Sequence, residues 1–294
     1  MHIDAGKIGI VKIMADNKKT DNVDLEGENI HWDVDMSYSQ YLNLDQVLSA
    51  QKPQSGEHDE MLFVIIHHVM ELWMKQAMHE LSAARSLIDQ NNLAPSLKMF
   101  SRIDHILKQM TGVWDVLTTM TPVDYLKFRD GLGKSSGFQS YQFRILEFTL
   151  GNKIKELVKV HENNPVAFAA VNDALNSPTL YDTVLGLLKK RGFDIDDEVI
   201  NRDVTEKYQA NDSVKQAWIT IYSDTEQYWD LYDLSEKLMD FEHNFQIWRY
   251  NHLKAVERII GAKMGTGGSS GLPYLAKGLD AKLFPELLAV RTEL

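Results

Sequence analysis

The sequence predicts an all-α protein, a bundle of several long antiparallel helices. Three observations carry that expectation. Residues 58–81, HDEMLFVIIHHVMELWMKQAMHEL, run without Pro or Gly and carry apolar side chains on more than one helical face. Residues 96–119 and 223–263 repeat apolar residues at three- and four-residue steps. No stretch alternates apolar and polar side chains convincingly, as a half-buried strand would.

Composition narrows the function classes. At 294 residues the chain can bury one large core or two modest ones. Its net charge of −11, without a dense basic cluster, argues against a nucleic-acid groove or an anionic membrane as partner. There is no cysteine, which excludes disulfides, thiolate haem ligation, cysteine-held iron–sulfur clusters and thiol nucleophiles. A metal would need His, carboxylate or another non-thiol ligand. With no secretory apolar region near the start and no 18-residue apolar run, a cytoplasmic, membrane-free protein is expected.

In chain order, residues 1–36 are polar and acidic and read as an N-terminal arm. Residues 37–294 read as a single domain. Residues 37–51, SYSQYLNLDQVLSAQ, form a short amphipathic helix with Ser37 as cap and Tyr38, Tyr41 and Leu42 among its apolar positions. The first long helix follows to about residue 90, opened by Ser55, Glu57, Asp59 and Glu60, which suit the positive end of a helix. Residues 91–95 make a turn before the third helix, 96–119. Thr121-Pro122 then caps a short helix bearing Tyr125 and Arg129. A loop, DGLGKSSGFQS, leads into the helical stretch YQFRILEFTLG. Shorter segments over about 152–225, broken by Asn163-Asn164-Pro165, Ser177-Pro178 and Arg191-Gly192, form a helical insertion that includes a helix at 213–222. The second long helix, 223–263, is followed by the loop GTGGSSGLP and a last helix near 284–294.

Chemistry can come from the ten histidines. His67 and His68 sit among Ile65, Ile66, Val69 and Met70 on the first long helix, and His243 and His252 lie on the second. HExxH is absent, and the one Glu-x-x-His, Glu28 to His31, lies in the arm, so neither a zincin nor a ferritin-like di-iron site is expected. Two long helices with histidines among large apolar residues could grip a flat cofactor, one imidazole on iron and the other on the open face. Core histidines with satisfied hydrogen bonds are the plainer alternative. Tyr125 and Arg129, four residues apart, share a helical face, and the planar guanidinium suits a carboxylate; a surface Tyr–Arg contact is the other reading. The Gly-rich loop lacks the Lys of a phosphate-binding loop and follows a helix, so it is either a linker or a lid offering Thr266 to a polar ligand.

Taken together, SYSQYLNLDQVLSAQ, HDEMLFVIIHHVMELWMKQAMHEL, MTPVDYLKFRDGLGKSSGFQSYQFRILEF, WRYNHLKAVERIIGAKMGTGGSSG and FPELLAVRT resemble the tryptophan 2,3-dioxygenase family, in family order from about residue 32 onward. The resemblance implies an all-helical homotetramer with one b-type haem per subunit, whose iron is ligated by His252. It implies that ferrous haem and O2 open the indole C2–C3 bond of L-tryptophan to give N-formyl-L-kynurenine. It makes His67 the hydrogen-bond partner of the indole N–H, Phe63 the ring that packs on the indole, Arg129 the carboxylate clamp and Tyr125 a wall of the same pocket. Thr266 is matched to the loop threonine on the substrate's ammonium and carboxylate, and Ser136 and Gly137 to the loop beside the distal pocket. Tyr38, Tyr41 and Leu42 are matched to residues delivered by a neighbouring subunit.

Two positions depart from the family pattern. His68 stands where the family usually has Gln, and Pro273 follows the Gly-rich loop, where it would stiffen a hinge. A related haem enzyme acting on a modified indole, or a haem sensor without turnover, are the alternative functions. The complete carboxylate clamp speaks against the sensor.

Overall fold

A computed structural model describes residues 23–30 and 35–294, and among them lie thirteen α-helices and one two-stranded hairpin. The all-α expectation holds. Most of the arm expected at 1–36, His31 included, lies outside the described residues. The chain divides into two compact units, 1–50 and 51–294.

In the first unit, β1 (Val23–Leu25) pairs antiparallel with β2 (Glu28–Ile30), Val23 opposite Ile30. Glu26 and Gly27 both adopt positive φ, 54° and 91°, the two-residue turn whose twist matches that of paired strands. This hairpin was not expected from the sequence. The helix expected over 37–51 is two short ones, α1 (Tyr38–Leu42) and α2 (Leu44–Leu48). Ser37 caps α1 in a reciprocal box with Gln40, and Asn43, left-handed at φ 52°, breaks the run. Tyr38, Tyr41, Leu42, Val47 and Leu48 are exposed.

In the second unit, α3 (His58–Asp89) is the longest helix. Its start is secured from within. The Glu60 carboxylate accepts from the backbone N–H of Gln54 and of Ser55, each at 2.7 Å, so the segment before the helix folds back on the first turn. Ser55 is therefore a partner of Glu60 rather than the cap. Next, α4 (Leu93–Leu117) starts three residues earlier than expected. Pro95 is its third residue, where the missing N–H would have had no helical partner anyway. The Thr121 hydroxyl accepts from Asp124 N at 3.2 Å and opens α5 (Pro122–Arg129).

There follow α6 (Tyr141–Thr149), α7 (Pro165–Asn176), α8 (Leu180–Lys190), α9 (Asp197–Ile200) and α10 (Asp212–Ser223). The second long helix, α11 (Trp229–Ile259), begins after a turn in which Asp224 accepts from Gln227 N. After the Gly-rich loop comes α12 (Leu272–Leu279), which was not foreseen, and then α13 (Pro285–Val290). Among the described residues no helix is long and apolar enough to cross a membrane.

The core of this unit is α4 packed between α3 and α11. Met70, Met74, Leu81 and Ile88 of α3, Phe100, Ile103, Leu107 and Met110 of α4, and Leu234, Leu238, Phe241 and Phe245 of α11 are all buried. Each such side chain contributes about 1.5–3 kcal/mol at most through its removal from water. Charged side chains are also buried within this apolar frame, and one cluster of them ties α6 to α11. The Glu147 carboxylate on α6 accepts from Arg144, from Asn152 at 3.0 Å and from Arg249 of α11 at 3.2 Å. Arg249 also donates to the Gly278 carbonyl at 2.8 Å, fastening α12 to α11.

Candidate functional site

On α3, one helical face presents Phe63 and His67 four residues apart. His67 Nδ1 lies 2.7 Å from the Phe63 carbonyl, an acceptor, so Nδ1 carries the hydrogen and Nε2 keeps its lone pair. The Phe63 ring sits 4.2 Å from the His67 ring, 5.5 Å from Phe128 and 6.0 Å from Tyr125, centroid to centroid. Burial lowers the His67 pKa more strongly than its bond to Phe63 and the Glu71 charge raise it, and His68 lowers it further. The imidazole is therefore neutral near pH 7. His68 takes another direction. Its Nδ1 receives the Gln51 side-chain amide at 3.2 Å, which joins it to the segment before α3. Its imidazole thus has a structural partner away from the Phe63–His67 pair.

Arg129, at the end of α5, reaches the Gly-rich loop by donating from Nη2 to the Met264 carbonyl at 3.1 Å. Its Nε is buried with no hydrogen-bond partner. Burial raises the Tyr125 pKa, and the neighbouring Arg129 charge and hydrogen bond oppose the rise. Further along, Thr266 donates its hydroxyl to the Ser135 carbonyl at 2.5 Å. A Cβ on Gly267 would stand 2.8 Å from the Ser136 Cβ, so the two loops approach at glycine-only range. Ser136 in turn accepts from Phe138 N at 3.3 Å and opens the short 3-10 turn Gly137–Gln139. Pro273 is the second residue of α12, in the first turn after the Gly-rich loop, and Tyr274 beside it meets Phe138 edge-on at 5.4 Å.

His252 enters from α11. Its ring lies flat on Trp114 of α4, centroids 4.6 Å apart and planes within 3°. Trp248, one turn earlier on α11, meets it at 5.8 Å and 38°. Burial holds the His252 pKa down at about 4, and the charge of His67 lowers it further. Both indole nitrogens, Trp114 Nε1 and Trp248 Nε1, are buried without a hydrogen-bond partner. A neutral imidazole among flat aromatic walls, with two unanswered N–H donors beside it, fits a planar iron macrocycle carrying carboxylates.

The sequence-selected residues thus fall into groups. Phe63, His67, Tyr125 and Arg129 come together, and Arg129, Thr266, Ser136 and Gly137 are joined through the loop contacts. His252 stands apart from these contacts, between Trp114 and Trp248. His243 is exposed on α11 and takes no part. Tyr38, Tyr41 and Leu42 belong to the first unit. Sequence reasoning missed Trp114, Trp248 and Met264. The tryptophans stood at ordinary core spacing, and a backbone carbonyl leaves no signature in the choice of residue. An open cleft of about 480 Å3 lies elsewhere, between α3 and α8, where Asp182 and Lys190 already have ionic partners and Arg85 donates to the Pro178 carbonyl.

The sequence matches the model of the protein family Tryptophan 2,3-dioxygenase over residues 25–178 and 172–294. It is 51% identical over 280 residues to a tryptophan 2,3-dioxygenase of Shewanella woodyi, covering 95% of this chain and 98% of that one. A tryptophan 2,3-dioxygenase of Exiguobacterium sibiricum is 50% identical, over 94% of this chain and all of the relative. One from Bacillus thuringiensis (strain Al Hakam) is 49% identical with the same coverage.

Proposed function

The chain belongs to the tryptophan 2,3-dioxygenase family, and from that premise we propose how its residues divide the reaction. It is a dioxygenase that cleaves the indole C2–C3 bond of L-tryptophan with O2, giving N-formyl-L-kynurenine. The family depends on haem, which when bound supplies the iron chemistry that activates O2. His252 would hold that iron in one haem b per subunit, the two unpartnered indole N–H groups lying beside it.

Every other task falls to the protein. His67 accepts the indole N–H on Nε2, because its Nδ1 hydrogen is committed to the Phe63 carbonyl at 2.7 Å. That bond is the observation on which the division rests. Phe63 packs against the indole face. Arg129 receives the substrate carboxylate on its free Nε and on Nη2, exchanging Met264 for a charged acceptor. Tyr125 walls the pocket beside it. The Thr266 hydroxyl donates to the Ser135 carbonyl, so its oxygen lone pairs remain for the substrate ammonium. Ser136 and Gly137 form the rim against which the loop closes and excludes water. Fixing the amino-acid end and the ring together holds the scissile bond at one place, which is the main contribution a scaffold can make.

The same reading places Tyr38, Tyr41 and Leu42 at the site of a neighbouring subunit in a homotetramer. Their support is an exposed apolar and aromatic set on α1. A cytoplasmic location, without a nucleic-acid or membrane partner, belongs to the same proposal.

The test is reconstitution with haem, reduction, and addition of L-tryptophan in air while N-formylkynurenine is followed by absorbance. Product is expected from the unsubstituted protein, and its absence from a fully reduced, haem-loaded sample would overturn the reading. His252→Ala is expected to lose stoichiometric haem; a normal haem spectrum in that variant removes His252 as ligand.

A further inference from the structure

A histidine that ligates a metal ordinarily donates its second ring N–H to a carboxylate or carbonyl, and that bond fixes the plane of the ring. Among the described residues neither ring nitrogen of His252 has a hydrogen-bond partner. The groups around it are aromatic: Trp114 parallel to it at 4.6 Å, and Trp248 tilted at 5.8 Å. Trp114 is itself immobilised. It is buried on α4, against Trp248 at 5.8 Å, and Trp248 is held between Phe245 and Phe143. A rigid indole lying within 3° of the imidazole plane opposes rotation of that ring about its Cβ–Cγ bond, because any turn drives a ring edge into the indole face.

We propose that Trp114 is the positioning residue of His252, setting the plane of the imidazole by stacking where other metal-ligating histidines use a hydrogen bond. This rests on the reading of His252 as the iron ligand. It has a chemical consequence for that ligand. An imidazole whose second N–H meets no carboxylate stays a neutral donor without imidazolate character, so it does not stabilise the ferric state as an anionic partner would. Trp248 contributes less to the ring plane, since its tilt leaves the imidazole room to turn.

The experiment compares the haem-reconstituted ferrous protein with Trp114→Phe, Trp114→Leu and Trp248→Leu by resonance Raman spectroscopy at the iron–histidine stretch. Haem stoichiometry and far-UV circular dichroism are recorded alongside. A single narrow band is expected in the unsubstituted protein and in Trp114→Phe, which keeps a stacked ring and loses the N–H. Trp114→Leu is expected to bind haem yet show a shifted or split band, and Trp248→Leu to change it less. A band in Trp114→Leu unchanged in position and width overturns the positioning role, as does a Trp114→Phe band as disturbed as that of Leu. Should Trp114→Leu not fold, the haem-free unsubstituted protein decides by NMR. The His252 ring protons are expected upfield through the Trp114 ring current, and unshifted resonances overturn the stack. Failure of the ligand reading is separate: His252→Ala would then retain the iron–histidine band.

Discussion

Arg129 donates from Nη2 to the Met264 carbonyl at 3.1 Å while its Nε lies buried without a partner. The guanidinium holds the Gly-rich loop through one nitrogen and neighbours the Tyr125 hydroxyl, and Nε is the donor it has left for an anion. Arg129→Ala is therefore expected to lose about 2–3 kcal/mol of substrate recognition, roughly 30- to 150-fold in kcat/KM, expressed mainly as a raised KM for L-tryptophan. Arg129→Lys should restore little, because a point charge cannot span two acceptors. Steady-state kinetics check both, and an unchanged KM in Arg129→Ala removes the clamp.

Gly267 is the tightest seam between the loop and the rim. With a Cβ only 2.8 Å from that of Ser136, Gly267→Ala must push the loops apart at a cost of about 1–3 kcal/mol to the closed form. The expected result is a fall in kcat/KM of roughly 5- to 150-fold on the same scale, with haem content unchanged. Ser136→Gly introduced on top of it should recover part of the loss. A double variant no better than the single would show that the contact is not what limits closure.

His67 has one acceptor nitrogen to offer, and its value depends on the indole N–H. The unsubstituted protein should prefer L-tryptophan over its N1-methyl analogue, which cannot donate. His67→Ala should bind haem normally, lose activity toward L-tryptophan and shrink that preference toward unity. Competition kinetics with the two substrates measure it; an undiminished preference in His67→Ala assigns the discrimination to another group.

Acid should weaken the haem-free protein through His252. Its folded pKa is about 4, below the roughly 6.5 of an unfolded histidine, so between these values the unfolded chain binds the extra proton. Stability from this group is complete above about pH 6.5 and is lost as the pH falls toward 4, by at most about 3 kcal/mol and by less because the His252 side chain is only half-buried. Urea titrations of the haem-free protein across that window should show this slope, flattened in His252→Gln. An equal slope in the variant would place the titration elsewhere.

The long helices were legible because α3, α4 and α11 repeat apolar residues at helical spacing for many turns, and α5 declared itself through Thr121-Pro122. What escaped was short or set by backbone. The hairpin around Glu26-Gly27 has three-residue strands, too brief for alternation to register. Asn43 split one expected helix through a left-handed backbone that Asn tolerates but does not announce. Pro95 was taken for a breaker when it occupied the one turn that accepts it. α12 hid behind the glycines, because Gly271 and Pro273 read as loop until Gly271, at φ 69°, is seen turning the chain into a helix. Within the site, resemblance supplied the residues on side-chain identity. The partners of those residues were invisible in a linear reading: Gln51 on His68, Met264 on Arg129 and Trp114 on His252 are each joined by tertiary packing alone.

The buried Arg249–Glu147 contact has a bearing on how freely this protein can change. Apolar helices pack tolerantly; a bundle of Leu, Phe and Met can absorb a small slip or roll with modest loss. A paired charge in the interior cannot, since a displaced Arg249 would itself be left in the core without a carboxylate, at a penalty of about 3–5 kcal/mol, while Glu147 would keep only Arg144 and Asn152. Arg249 lies three residues before His252, nearly one helical turn. It acts as an index pin on α11, so substitutions elsewhere along the helix can accumulate while the angular phase of His252 is conserved by electrostatics rather than by the shape of the core.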